Sequence, residues 1–159
     1  MRAAVLTVSD RVSRGEADDA CGDVLDELLR ADGFETERRV VADEAADIAS
    51  AIEELAVDRS LVLTTGGTGL APRDVTPEAT REVIEREAPG IAEALRADSI
   101  AKTPHGLLSR GVAGVRGRTL VVNLPGSPGG CRDGYAVLGP ALRHALSLLA
   151  DAPTAHEQT

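Results

Sequence analysis

Short extended-type runs alternate with stretches of helical spacing along the chain. Residues 3–8 (AAVLTV) form a continuous apolar run, the pattern of a strand covered on both faces. Val24, Leu25, Leu28 and Leu29 then recur at helical spacing, and Gly33 supplies a stop. Residues 34–41 predict a second strand, and Ile48, Ala51, Ile52 and Leu55 share one face of a second helix. Leu61-Val62-Leu63 predicts a third, buried strand. Beyond it, Thr76-Pro77-Glu78 predicts a helix start, with Thr76 as N-cap and Pro77 in the first helical position. Pro89-Gly90 breaks that helix, and another follows bearing Ile91, Leu95 and Ile100. Residues 111–115 and 118–122 flank Arg116-Gly117 as a hairpin. Leu138, Leu142, Leu146 and Leu149 stripe a closing helix from Tyr135 to Leu149.

The order β-α-β-α-β-α-α, then a hairpin and a helix, predicts a single three-layer α/β/α domain over residues 1–150. Its sheet is mostly parallel with a β-hairpin extension, and residues 151–159 form a frayed tail. Right-handed crossovers put the loops after residues 8, 41, 63 and 122 on one rim, where open parallel sheets bind ligands.

Composition narrows the partners. The chain has 159 residues and a formal charge of −9, which argues against nonspecific binding to DNA or an anionic membrane. Aromatic residues are confined to Phe34 and Tyr135, so no stacking platform for single-stranded nucleic acid is available. Charge is unevenly placed: between residues 99 and 132 there are five basic side chains and no acidic one. That island is either solvated surface or a receptor for a small anion. Cys21 and Cys131 fit no metal-ligand spacing and read as free, at least partly buried thiols of a reducing compartment. With no signal-peptide pattern and no apolar run of membrane-spanning length, the expected location is the cytoplasm.

The candidate chemistry centres on residues 61–80, LVLTTGGTGLAPRDVTPEAT. A buried strand runs into Gly66-Gly67-Thr68-Gly69, where missing side chains let backbone N–H groups approach a phosphate. Such a turn also occurs merely because a chain must reverse, and it is neither a Walker loop nor a dinucleotide fingerprint. Asp74 adds a carboxylate beside it. Asp43 sits where a helix N-cap belongs, yet it also follows the second strand on the same rim. If the strands before Asp43 and Asp74 are neighbours, both carboxylates meet in one crevice. Mg²⁺ typically takes one or two carboxylates together with substrate phosphates. Ser9 and Asp10 leave the first strand on that rim as well. Asn123 to Gly130 forms a proline-fixed, glycine-rich loop that suits a ligand wall.

The block TTGGTGLAPRDVTPEAT resembles the signature of the molybdopterin adenylyltransferase family, the MogA/MoaB-type molybdenum cofactor biosynthesis proteins. The resemblance extends through TVSDR at 7–11, DACG at 19–22, VADE at 41–44, PG at 89–90, LSRGVAG at 108–114 and NLPGSP at 123–128. It implies a protein that binds molybdopterin and transfers AMP from Mg-ATP to its terminal phosphate, releasing pyrophosphate. By the same resemblance Asp74 and Asp43 are the metal-binding or catalytic carboxylates. Ser9, Asp10 and the backbone of Gly66, Gly67, Thr68 and Gly69 would contact phosphate or nucleotide. Ser109, Arg110, Asn123, Pro125, Gly126 and Ser127 would line the pterin or nucleotide pocket. A homotrimer and handover of product to a molybdenum-insertion protein are implied too. One departure stands out: Ala20-Cys21 occupies the place where the family commonly carries Lys-Ser, so a charge and a hydroxyl are missing. An alternative within the family is a molybdopterin carrier or assembly module with little turnover.

Overall fold

The computed structural model describes residues 1–151, so the expectation of a frayed tail falls, but for Asp151, outside the described residues. Strands β1 (Arg2–Val8), β2 (Glu35–Val41), β3 (Leu61–Thr65), β4 (Arg86–Glu87), β5 (Ala113–Arg116) and β6 (Thr119–Leu124) form one sheet in the order β2-β1-β3-β6-β5-β4. The first four strands of that order run parallel, and β5 pairs antiparallel with both β6 and β4. The α/β architecture with an antiparallel extension is as expected from the order of elements.

Helices cover both faces. Alternate residues of the central strands point opposite ways, so Ala3, Val5, Leu61, Leu63, Leu120 and Val122 pack against α2 (Ala20–Ala31) and α6 (Pro128–Ala150). Ala4, Leu6, Val62 and Val121 pack against α3 (Ala45–Leu55) and α4 (Thr76–Val83). Beyond the exposed Arg2 at its start, β1, like β3, is wholly apolar apart from threonines because both faces are covered. Edge strand β2 alternates charged residues instead, with Arg38 on Asp19 and Asp23, and Arg39 on Glu54.

Several local expectations change. A four-residue helix, α1 (Asp10–Ser13), follows β1 where the sequence suggested only a loop, and Ser9 caps it. Thr76 is not the N-cap of α4: it lies inside the helix, and its buried hydroxyl donates to the Gly66 carbonyl at 3.0 Å. Asp43 is not an N-cap either; that position belongs to Glu44, which makes no side-chain cap bond. The last helix starts at Pro128, because Ser127 caps it by accepting from the Gly130 N–H, so Gly129-Gly130 is first turn rather than loop. Between β4 and β5 the chain makes an excursion through α5 (Pro89–Lys102) and a 3-10 turn, Pro104–Leu108.

Candidate functional site

Parallel pairing sends the loops after β1, β2, β3 and β6 off the same edge of the sheet. The loop after β3 is the most tightly specified of them. Gly66 and Gly67 have φ of +97° and +67°, a region that disfavours any residue with a Cβ. A Cβ on Gly66 would strike the Val8 carbonyl, and one on Gly67 would strike Thr76 Oγ1. The four carbonyls of 66–69 are all anchored from the protein side. Gly66 O accepts from Thr76 Oγ1 at 3.0 Å, Gly67 O from Thr76 N at 3.1 Å, Thr68 O from Arg110 N at 2.8 Å, and Gly69 O from Arg110 Nε at 2.8 Å. In a planar trans peptide the N–H points opposite to the preceding C=O. Anchoring these carbonyls therefore turns the following N–H groups away from the scaffold, as a phosphate cradle requires.

Gly67, Thr68, Gly69 and Asp74 form one side of a cavity of about 600 Å³. Ser109, Gly111, Asn123, Pro125, Gly126 and Ser127 continue its wall, together with residues of α5 and the 3-10 turn. The capped end of α6 opens onto it, which favours an anionic occupant.

Asp43 and Asp74 come together beside the glycine loop, but by a different route than neighbouring strands. β1 lies between β2 and β3, and the loops bridge the gap. Asp43 Oδ2 accepts from the Asp10 N–H at 2.8 Å, while Asp10 Oδ1 accepts from the Asp43 N–H at 3.0 Å. This reciprocal clasp fixes Asp43 so that its Oδ1 lies 3.2 Å from where a Gly67 Cβ would be. Asp74 Oδ2 lies 2.9 Å from the corresponding point on Gly69 and accepts from the Ala71 N–H at 3.0 Å. Burial, then the charges of Asp10 and Asp74, push the Asp43 carboxyl above the usual carboxylate range. Asp10 is held below that range, first by its hydrogen bond from Arg73 and then by the Asp43 N–H. Arg73 forks onto Asp10 at 2.6 and 3.1 Å and reaches Glu44 at 2.9 Å.

Other candidates also brace the scaffold. Ser9 Oγ accepts from the Val12 N–H at 3.2 Å and caps α1. Arg110 spends its guanidinium on Gly69 O, Asp74 O and Glu78. Asn123 is buried and satisfied: it donates to Thr64 Oγ1 and Thr80 Oγ1 and accepts from the Val112 N–H. Asp19, of the departing first loop, caps α2 and holds Arg38. Sequence reasoning overlooked the α5 wall. Arg96 donates to the Gly111 carbonyl at 2.7 Å, and Lys102 bridges Asp98 and Asp133. Its apolar residues signalled core packing and no more: Ile91 and Leu95 lie partly buried against the core, and Ala92 is the one fully buried residue of α5.

Two carboxylates on a glycine-lined rim fit an ion that completes its shell from substrate phosphate and water. Among the described residues no cluster of three or more His, Cys, Asp or Glu side chains forms a metal site by itself. Also among them, no helix is long and apolar enough to cross a membrane.

A mostly parallel sheet with a glycine loop, two carboxylates and a cavity on its carboxyl rim defines an α/β protein of the kind that places small-molecule sites at strand ends. Residues 4–144 match the family model described as a probable molybdopterin binding domain, and the chain belongs to that family. Gephyrin of Dictyostelium discoideum is 39% identical over 161 residues, covering 94% of this chain. The chain spans only 22% of that relative's length. A molybdopterin adenylyltransferase of Helicobacter pylori (strain J99) is 37% identical over 150 residues, covering 91% of this chain and 85% of its own. Among solved structures, the molybdopterin biosynthesis enzyme MoaB of Thermus thermophilus superposes with a TM-score of 0.87 at 50% identity. It covers 96% of this chain and 98% of its own.

Proposed function

We propose that this chain is a molybdopterin adenylyltransferase of molybdenum cofactor biosynthesis, with molybdopterin and ATP as its substrates. The observation that carries the reading is the anchored glycine loop with Asp43 and Asp74 at its flank, opening on a cavity of about 600 Å³. Support comes from the bacterial relative named as this enzyme, which the chain matches over most of both lengths.

In the reaction a terminal phosphate oxygen of molybdopterin attacks the α-phosphorus of ATP in line. The new P–O bond forms as the bond from that phosphorus to the β-bridging oxygen breaks, and pyrophosphate leaves. The nucleophile is already ionised, so no general base is required. The chain's own work is positioning and charge neutralisation. N–H groups of 67–69 and the start of α6 would hold phosphate, and Asp74 and Asp43 would hold Mg²⁺. That ion, when bound, offsets the charge of the triphosphate. Ser109, Pro125, Gly126 and Ser127 line the substrates. Ser9, Asp10, Arg110 and Asn123 keep the rim in shape. Trimeric assembly, a cytoplasmic location and handover to a molybdenum-insertion protein belong to the same reading through the family resemblance.

The test is pyrophosphate release from Mg-ATP with and without molybdopterin. Wild type should release it only with the pterin. Asp74→Asn should still bind molybdopterin while turnover drops about a hundredfold or more. Pterin binding by wild type without release would convert the protein to a carrier, and full turnover by the Asn variant would take Asp74 out of the mechanism.

A further inference from the structure

Cys21 and Cys131 take no part in the chemistry above, yet the fold brings them together. Cys21 stands in the first turn of α2 and Cys131 in the first turn of α6, two helices packed on the same face of the sheet. Hydrogen bonds tie those turns to adjacent strands. Asp19, which caps α2, accepts from Thr7 Oγ1 at 2.9 Å. Thr7 sits opposite Thr65 in the β1–β3 register, and Thr65 Oγ1 lies 3.3 Å from Cys131 Sγ. Cys21 packs against the apolar cluster that contains Cys131. Cys131 is fully buried and Cys21 half-buried.

Cys131 is also wired to the cavity. Its Sγ–H donates to the Pro125 carbonyl at 3.3 Å, which Thr65 Oγ1 reaches at 2.7 Å. Pro125 opens the 125–127 wall, and a Cβ on Gly126 would come within 3.3 Å of Gly66 Cα, so this wall rests on the glycine loop.

We propose that Cys21 and Cys131 form a reversible disulfide in the presence of a hydroperoxide, and that closing it slackens the 125–127 wall and weakens nucleotide binding. Cys21, the accessible sulfur, attacks the peroxide, whose O–O bond breaks to leave a sulfenic acid and one water or alcohol. Burial pushes the Cys131 thiol up to about 12, so it is not the sulfur that makes the first attack. Its sulfur attacks the sulfenic sulfur; the departing hydroxide takes the Cys131 proton as a second water. The sulfurs are together oxidised by two electrons and the peroxide is reduced by two. Pro125 loses its S–H donor, and a dithiol reductant restores it.

The test treats the reduced protein with hydrogen peroxide, then alkylates free thiols after unfolding and maps the peptides by mass spectrometry. The expected product joins the two cysteine peptides, lacks both alkyl groups and reverts with dithiothreitol. By calorimetry Mg-ATP should bind about tenfold more weakly to the oxidised than to the reduced form, the size expected from one lost buried hydrogen bond with local strain. Cys21→Ser should keep the reduced-form affinity through the same treatment. A Cys21 sulfinic acid beside an alkylatable Cys131 would overturn the disulfide. Unchanged affinity in the cross-linked form, or equal weakening of Cys21→Ser, would overturn its link to the cavity. That link rests on the function proposed above: a reduced protein that binds no Mg-ATP overturns both, while peptide mapping judges the disulfide alone.

Discussion

Asp43 shows how one side chain can be placed at a cost to the fold. Its carboxyl is raised by burial and by facing two other acids, so the folded chain holds that proton more tightly than the unfolded chain does. The penalty is absent below the ordinary carboxylate range and grows as pH rises through the raised value. Asp10 has the opposite sign: its stabilisation is present above the ordinary range and disappears as pH falls through its lowered value. Asp43→Asn keeps an acceptor for the Asp10 N–H while removing the charge. Solvent screens a half-buried group, so the gain in stability of the ligand-free protein at neutral pH should be held to about 1 kcal/mol, a Tm increase of roughly 3 °C. The variant should also abolish Mg-dependent turnover. Thermal melts across pH check the first expectation, with the wild type losing ground relative to the variant as pH rises. The acid was visible in the sequence, but its clasp with Asp10 was not, because the partners are held by backbone N–H groups that no residue type announces.

At the scale of elements, the glycine loop behaves as a mould set by its neighbours. The motif letters picked out the loop that lines the cavity. They also suggested a helix cap at Thr76, which is the commonest use of a threonine before proline. Instead that hydroxyl is buried and holds Gly66 from behind, since an anchored carbonyl inside the fold outweighs a local cap. Gly67→Ala is the sharpest probe of this arrangement. The methyl group meets positive φ, strikes Thr76 Oγ1 and approaches Asp43 Oδ1 at 3.2 Å. The variant should lose about 2–3 kcal/mol in denaturant unfolding and lose pyrophosphate release more completely than its residual folded fraction explains. The same distance from sequence to site hid the role of α5: its apolar residues announce packing on the core, and not that the same helix walls a cavity.

Across the molecule, layer order and the parallel core were legible because both faces of β1 and β3 are buried and their central letters are almost uniformly apolar. The position of β1 between β2 and β3 was not, since periodicity reports which faces are covered and not which strands are neighbours. One buried side chain ties these layers to the extension. Asn123 on β6 reaches Thr64 on β3, Thr80 on α4 and the Val112 N–H ahead of β5. Asn123→Ala would orphan these groups and should cost about 2–4 kcal/mol in global unfolding, with the urea midpoint falling and the m-value unchanged.

The excursion between β4 and β5 has a wider consequence. It leaves and re-enters through an antiparallel pair at the sheet margin, and it supplies much of the cavity wall. Lengthening or rewriting that detour need not disturb the register of any parallel strand. Lineages sharing this scaffold are thus free to refit the chamber for a new tenant while the glycine-loop shore stays as it is.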